Sequence, residues 1–266
     1  GPAWSLVFRD VIVRLREGFR CVALDFPASG LSPAAPDYRP GIEAASRVLD
    51  TFVRALDLRG VTLVAHDLGG PVAFGVAARL PERFRAMAVT ESFGWALSEG
   101  HPKVARMLRL ASGRAFGLLN DATNVLTWVT ATPYGVGRHL RAAGRKAFRG
   151  PYGDRRVRRA ALAMLGDALA AEAYLRGVEL ALRTTLRDLP VLLVFGAKSP
   201  QMEEGFRERW TALFPQARVL VVEGAHHFPM ADEPDVVAGA IRSWWEEAVA
   251  AAGVGSPSEP VGATYA

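Results

Sequence analysis

The sequence predicts an α/β protein: a mostly parallel sheet flanked by helices, interrupted by one long helical insertion. Three observations carry this. Short β-branched, apolar runs alternate with stretches whose apolar residues recur at helical spacing. The alternation stops between about Ser92 and Arg187, where the chain is rich in Ala, Leu and Arg, and then resumes. One of the runs, Val61-Thr62-Leu63-Val64-Ala65, ends in His66-Asp67-Leu68-Gly69-Gly70 and passes straight into a helical pattern. That strand–turn–helix is the setting of a nucleophile elbow.

In chain order, Gly1-Pro2-Ala3-Trp4-Ser5 leads directly into a helical Leu6–Arg16. Nothing before it supplies the early strands such a sheet needs, so the expectation is a chain that starts part-way into its domain. Arg20–Phe26 reads as a strand, followed by a turn-rich loop from Pro27 to Pro40. Ile42–Leu58 is helical, Val61–Ala65 a strand, and Gly69–Leu80 a helix that Pro81 stops. Met87-Ala88-Val89-Thr90 is a strand. Breaks at His101-Pro102, Thr132-Pro133 and Gly150-Pro151 divide the insertion. Val191–Phe195 is a strand, 203–214 a helix, Arg218–Val222 a strand, and Glu233–Ala250 a closing helix. The organisation expected is a core of residues 1–91 and 188–250, a helical cap of 92–187, and a disordered Gly/Pro/Ser-rich tail of 251–266.

Composition narrows the function classes. Half of the 266 residues are apolar, enough for a sizeable core. No uncharged apolar stretch reaches the roughly 20 residues of a membrane span, and no signal-peptide pattern opens the chain. Cys21 is the only cysteine, which excludes a disulfide framework and fits a reducing cytoplasm. The net charge is +5, carried almost entirely by arginine. Its densest run, Arg155-Arg156-Val157-Arg158-Arg159, reads as a solvated helix face, and no nucleic-acid motif is present. Neither a nucleic acid nor a membrane is expected as partner, and the chain is expected to be a monomer or homodimer.

The chemistry centres on Asp67. A carboxylate that attacks an acyl carbon forms an anhydride, a poor intermediate. Attack on a saturated carbon bearing a leaving group forms an ester that water can cleave. The bland alternative is that Asp67 only caps the helix behind it. A tight elbow needs small flanking residues, and Ala65, Gly69 and Gly70 supply them. The base is sought in Glu223-Gly224-Ala225-His226-His227-Phe228, after the last strand. His227 is preferred and His226 held in reserve. The orienting acid could follow either of two strands. Gly196-Ala197-Lys198-Ser199-Pro200 offers no carboxylate, whereas Glu91 stands at the C-terminal end of its strand, where such sheets place ligands. Glu91 is therefore the acid.

With these residues assigned, the chain resembles the α/β-hydrolase superfamily, and within it the haloalkane dehalogenases and related epoxide hydrolases. Pro2-Ala3-Trp4-Ser5 resembles the end of the family's His-Gly-Asn-Pro-Thr-Trp-Ser segment. Asp25-Phe26-Pro27-Ala28-Ser29-Gly30-Leu31-Ser32 resembles its Asp-x-Pro-Gly-x-Gly-x-Ser loop, with Ala28 in place of Gly. Phe148-Arg149-Gly150-Pro151-Tyr152 resembles a Tyr-Arg-x-Pro-Phe cap motif, and the register of the histidine loop selects His227.

The resemblance implies attack by Asp67, an alkyl ester, and hydrolysis by water activated by His227 with Glu91. It implies an oxyanion hole from the Leu68 N–H and an opening-segment N–H at Gly1, an apolar pocket under the cap, and no metal or organic cofactor. The substrate would be small and apolar, with a halide or epoxide leaving group. Two positions depart from the dehalogenase pattern: Leu68 stands where a halide-binding Trp is usual, and Gly1, or nothing, where an Asn is usual. Leu68 favours epoxide opening, which needs cap donors, the candidates being Tyr134, His139, Tyr152 and Tyr174. A non-catalytic or fragmentary binding domain is the remaining alternative.

Overall fold

The structure is a computed structural model that describes residues 2–250 except 134, 137 and 139. Gly1, Tyr134, His139 and the tail from 251 to 266, all singled out above, lie outside the described residues.

A 3-10 turn at Ser5–Phe8 leads into α1 (Arg9–Leu15), and α2 (Ile42–Ala55), β1 (Val61–Asp67), α3 (Gly69–Arg79) and β2 (Phe84–Ser92) follow. Six helices then intervene: α4 (Pro102–Ser112), α5 (Arg114–Thr123), α6 (Val125–Thr130), α7 (Ala142–Arg149), α8 (Arg155–Ala170) and α9 (Glu172–Arg183). The chain returns as β3 (Val191–Gly196), α10 (Pro200–Glu203), α11 (Phe206–Leu213), β4 (Arg218–Val222), α12 (Pro229–Asp232) and α13 (Pro234–Trp244), with a π-helical turn over Trp245–Ala250. The four strands form one parallel sheet in the order β1-β2-β3-β4.

Both sheet faces are covered, and the strand sequences encode it. In β3, Val191, Leu193 and Phe195 enter one core while Leu192 and Val194 enter the other. In β2, Met87 and Val89 are divided from Ala86 and Ala88 in the same way. This is the period-2 alternation of side chains across a pleat. The first core includes Val72, Phe74 and Val76 of α3, Leu175 and Val178 of α9, and Trp210 of α11. The second includes Val11 of α1 and Val237 and Ile241 of α13. Each fully buried Val, Leu or Phe contributes about 1.5–3 kcal/mol of transfer free energy, so these strands are fixed by burial on both sides.

Two sequence expectations are corrected. Arg20–Phe26 has strand composition but pairs with no strand among the described residues. A strand is a paired state, and composition cannot supply the neighbour. The helix expected over 203–214 starts later, as α11 at Phe206: Glu203 ends α10, and Gly205 between the two adopts φ +75°, a left-handed conformation that breaks the helix.

Candidate active site

Asp67 closes β1 and holds φ +47°. A non-glycine residue in that region costs on the order of 1–3 kcal/mol, and such strain gathers at functional turns. The turn is held from behind. The Ser92 hydroxyl donates to the Asp67 carbonyl at 2.7 Å, and the Trp210 indole N–H donates to the Ser92 carbonyl at 2.7 Å. A Cβ on Gly70 would collide with the Ser92 hydroxyl, so the second glycine of the elbow is a steric requirement. Leu68 follows in helical conformation (φ −61°, ψ −20°) and starts α3.

Glu91 reaches the site through a bulge. Along β1 and β2, His66 pairs with Thr90 but Asp67 pairs with Ser92, which leaves Glu91 as the extra residue. It has φ +44° and is fully buried. Bulges re-aim side chains, and here the carboxylate turns toward β3. The Gly196 N–H donates to Oε1 at 2.6 Å, and the Ser199 hydroxyl donates to Oε2. Ser199 thus sits where sequence reasoning sought a second carboxylate, and it holds the one from β2.

The histidine loop follows β4 and is tied to β3. Ala197 N–H donates to the Val222 carbonyl at 3.1 Å, and Lys198 N–H to the Ala225 carbonyl at 3.2 Å. The His226 N–H donates to Asp232 Oδ2 at 3.0 Å, and the His226 carbonyl lies against Gly196, where a side chain would collide with it. The imidazole brought between the two carboxylates is that of His227. Its Nε2 is 3.5 Å from Asp67 Oδ2 and its Nδ1 is 3.7 Å from Glu91 Oε2. The side chains of Asp67 and His227 keep 19% and 23% exposure while that of Glu91 has none, so the outer pair is open to solvent and the acid is not.

The electrostatics follow from this bracket. Burial alone would lower the His227 pKa, but Asp67 and then Glu91 outweigh it and push it up to about 9. Burial alone would raise the Asp67 pKa, but the hydrogen bond and charge of His227 act against it and pull the carboxyl down. His66, the residue before the tip, behaves oppositely. Burial first, then the neighbouring His227, lowers it to about 3. Its Nδ1–H donates to the Thr90 carbonyl at 3.1 Å, and its ring lies 4.8 Å from that of His227 and 5.0 Å from that of Phe228. It therefore backs His227 as a neutral ring.

Tyr152 and Tyr174 are not brought to this site. The Tyr174 hydroxyl donates to the Pro71 carbonyl at 3.1 Å, and the Tyr152 hydroxyl pairs with Ser29, its ring wholly buried against Phe148. Burial raises the pKa of both phenols. Beside the helical segment, a cavity of about 10 Å³ among Leu6, Val7, Val136 and Phe148 has room for about one water molecule and is not lined by Asp67 or His227. Sequence reasoning missed Ser92, Ser199 and Gly196. The only signal was their place at or beside strand ends.

A family model for the alpha/beta hydrolase fold matches residues 1–234. The chain belongs to the alpha/beta hydrolase fold family. This hydrolase-fold enzyme is 28% identical over 241 residues to haloalkane dehalogenase 2 of Mycobacterium tuberculosis, covering 90% of this chain and 83% of that one. It is 27% identical over 265 residues to the cis-3-alkyl-4-alkyloxetan-2-one decarboxylase of Xanthomonas campestris, covering 92% and 85%. The crystal structure of haloalkane dehalogenase DatA from Agrobacterium tumefaciens superposes with a TM-score of 0.77 at 23% identity, covering 92% of this chain and 86% of that one. No helix among the described residues is long and apolar enough to cross a membrane, and no cluster of three or more potential metal ligands occurs among them.

Proposed function

We propose that this hydrolase cleaves carbon–halogen bonds through an ester formed on Asp67. The observation that carries the reading is the bracketed imidazole: His227 lies 3.5 Å from the Asp67 carboxylate on one side and 3.7 Å from that of Glu91 on the other.

In the first step, an Asp67 oxygen attacks the saturated carbon in line, and the halide leaves with the bonding electron pair. In the second, water adds to the Asp67 carboxyl carbon as His227 takes its proton. The tetrahedral oxyanion is met by the Leu68 N–H, and losing such a donor costs on the order of 3 kcal/mol. Collapse breaks the bond between the carboxyl carbon and the alkyl oxygen. The alcohol departs with the proton that His227 had taken, and the Asp67 carboxyl, now carrying one oxygen from water, passes water's second proton to His227, which restores the resting pair. The low pKa of Asp67 keeps the nucleophile ionised. The raised pKa of His227 makes it a cation at rest. Esterification removes the Asp67 charge that raises it, so the imidazole gives its proton to solvent and becomes a base just when one is needed. The helices between β2 and β3 would act as a cap over the site, and the small apolar substrate would enter beneath them.

A second reading is the opening of a strained oxygen ring by the same aspartate: an epoxide, or an oxetan-2-one as in the name of the Xanthomonas relative. Leu68 favours it, since an aliphatic side chain after the nucleophile cannot donate to a departing halide. An oxetan-2-one opened at its saturated carbon releases a carboxylate, which needs no proton.

The test is His227→Gln, because the first step does not use the base. Exposed to 1-bromobutane, the variant should gain a butyl group on the peptide containing Asp67 by mass spectrometry, while the wild type releases bromide catalytically. The same adduct test with an epoxide and an oxetan-2-one separates the second reading. Turnover by the wild type with Asp67 unmodified in the variant would overturn both.

A further inference from the structure

The stretch from α4 into the start of α8 has a chemical character the rest of the chain lacks. Residues 102–160 contain thirteen Lys and Arg against two Asp and Glu, while the remaining positions hold nineteen against twenty-five. One of the two acids, Asp121, is largely buried and paired with Arg159 at 2.6 Å. The other, Asp154, accepts the Arg156 N–H at the start of α8.

The same stretch carries apolar side chains in solvent. Met107 and Leu110 of α4 are 53% and 66% exposed, Leu118 and Leu119 of α5 are 66% and 50%, and Trp128 and Val129 of α6 are 53% and 58%. Their spacing follows the helices. On α4, Val104, Ala105 and Leu108 face the core, and Arg106, Met107, Arg109 and Leu110 lie on the outer side. On α5, Arg114, Ala115, Leu118 and Leu119 form an exposed stripe. Among the described residues no carboxylate pairs with Arg106, Arg109 or Arg114. The Arg149 guanidinium stacks 3.6 Å above the Trp128 ring, which joins cation and aromatic at one point.

We propose that the outer faces of α4, α5 and α6 dock this enzyme on an anionic lipid surface, with Met107, Leu110, Leu118, Leu119, Trp128 and Val129 entering the interface and the arginines meeting headgroups. Amphipathic helices with Leu and Trp on one side and arginine around them lie in the plane of a membrane by this combination of burial and charge. A crossing segment is not needed, so the absence of a long apolar helix among the described residues does not bear on it. A second copy of the chain is the poorer occupant, because two such faces repel each other when opposed. Each basic residue near an anionic surface adds about 1 kcal/mol, or roughly fivefold in binding. The proposal does not rest on the Asp67 chemistry, and its test does not read activity.

The full chain is mixed with vesicles of phosphatidylcholine containing phosphatidylglycerol, and with vesicles of phosphatidylcholine alone, and binding is read by sedimentation and by Trp fluorescence. The expected result is binding to the anionic vesicles only, weakened by added salt. Arg106→Gln, Arg109→Gln and Arg114→Gln together should cost on the order of a hundredfold in binding. Leu118→Ser with Leu119→Ser should cost at least tenfold with the thermal midpoint lowered only slightly, since both side chains are at least half exposed. The proposal is overturned if the wild type ignores anionic vesicles, if it binds both kinds equally, or if neither variant weakens binding. It is also overturned if the chain is a dimer in solution that those leucine changes dissociate.

Discussion

Ala28 occupies a backbone conformation, φ +61°, that an L-residue pays to adopt and glycine does not. It lies in the loop that the Asp25 carboxylate organises, accepting the Ser5 N–H at 2.8 Å and the Leu31 N–H at 3.1 Å. The family pattern has glycine at this point, and the φ value gives the physical reason. Ala28→Gly removes a left-handed cost of about 1–2 kcal/mol and adds back about 0.4–1 kcal/mol of unfolded-chain entropy. The variant should be more stable by about 0.5–1 kcal/mol, read as a higher urea midpoint at unchanged slope. A lower midpoint would mean that the loop depends on the alanine methyl. The residues of the site divide along similar lines in what their sequence disclosed. Asp67 closes β1, Glu91 stands one residue from the end of β2 and His227 follows β4, and strand ends are legible from apolar runs. The bulge that turns Glu91 inward, and the Ser199 hydroxyl that receives it, depend on the pairing of β1 with β2 and the packing of β3, which no local pattern records. The Tyr174 hydroxyl was open to several roles in the sequence because its partner, the Pro71 carbonyl, is 103 positions away.

At the scale of elements, strands buried on both faces were readable and joints between elements were not. β3 is six consecutive buried residues, and such a run has few other places to go. The joint of α4 with α10 and α11 is built from polar groups that look unrelated in sequence. The Trp95 indole donates to His101 Nε2 at 2.9 Å, which leaves Nδ1–H to donate to the Glu204 carbonyl at 3.0 Å. The Glu204 carboxylate then accepts from the Lys103 and Val104 N–H groups at 3.0 and 3.4 Å. Pro102 has no N–H, so Glu204 serves the next two free donors of α4. A negative group there also meets the positive end of the helix dipole. Glu204→Ala should lower stability by about 1 kcal/mol, the usual cost of a lost cap. Glu204→Gln, which keeps an acceptor but not the charge, should fall between the two. Urea midpoints of the three proteins check this, and a Gln variant no better than Ala would show that charge alone holds the joint.

For the whole molecule, two histidines whose rings lie 4.8 Å apart set opposite limits on stability with pH. His66 has its pKa lowered to about 3 by burial and by His227. The unfolded chain, near 6.5, binds more protons in between, so the contribution of His66 is present above about pH 6.5 and is lost as pH falls toward 3. His227 is raised to about 9, so the folded state binds more protons than the unfolded one between about 6.5 and 9. Its contribution is complete below about pH 6.5 and is lost as pH rises through 9. Stability should therefore peak near pH 6.5–7 and fall on both sides. The start of the alkaline limb, between pH 7 and 8.5, is the more diagnostic, because the lysines and the tyrosines titrate higher and arginine does not titrate there. Urea unfolding from pH 4 to 10 at fixed ionic strength measures the curve. His227→Gln should flatten the limb between pH 7 and 9 and leave the acid limb standing, whereas His66→Gln should reduce the acid limb between pH 4 and 6.5. A fall in stability between pH 7 and 8.5 that survives His227→Gln would mean that the imidazole is not held as a cation between the two carboxylates, whereas a fall above that belongs to Cys21 and the tyrosines whose pKa burial raises. The proton balance proposed for the resting site would then fall with it.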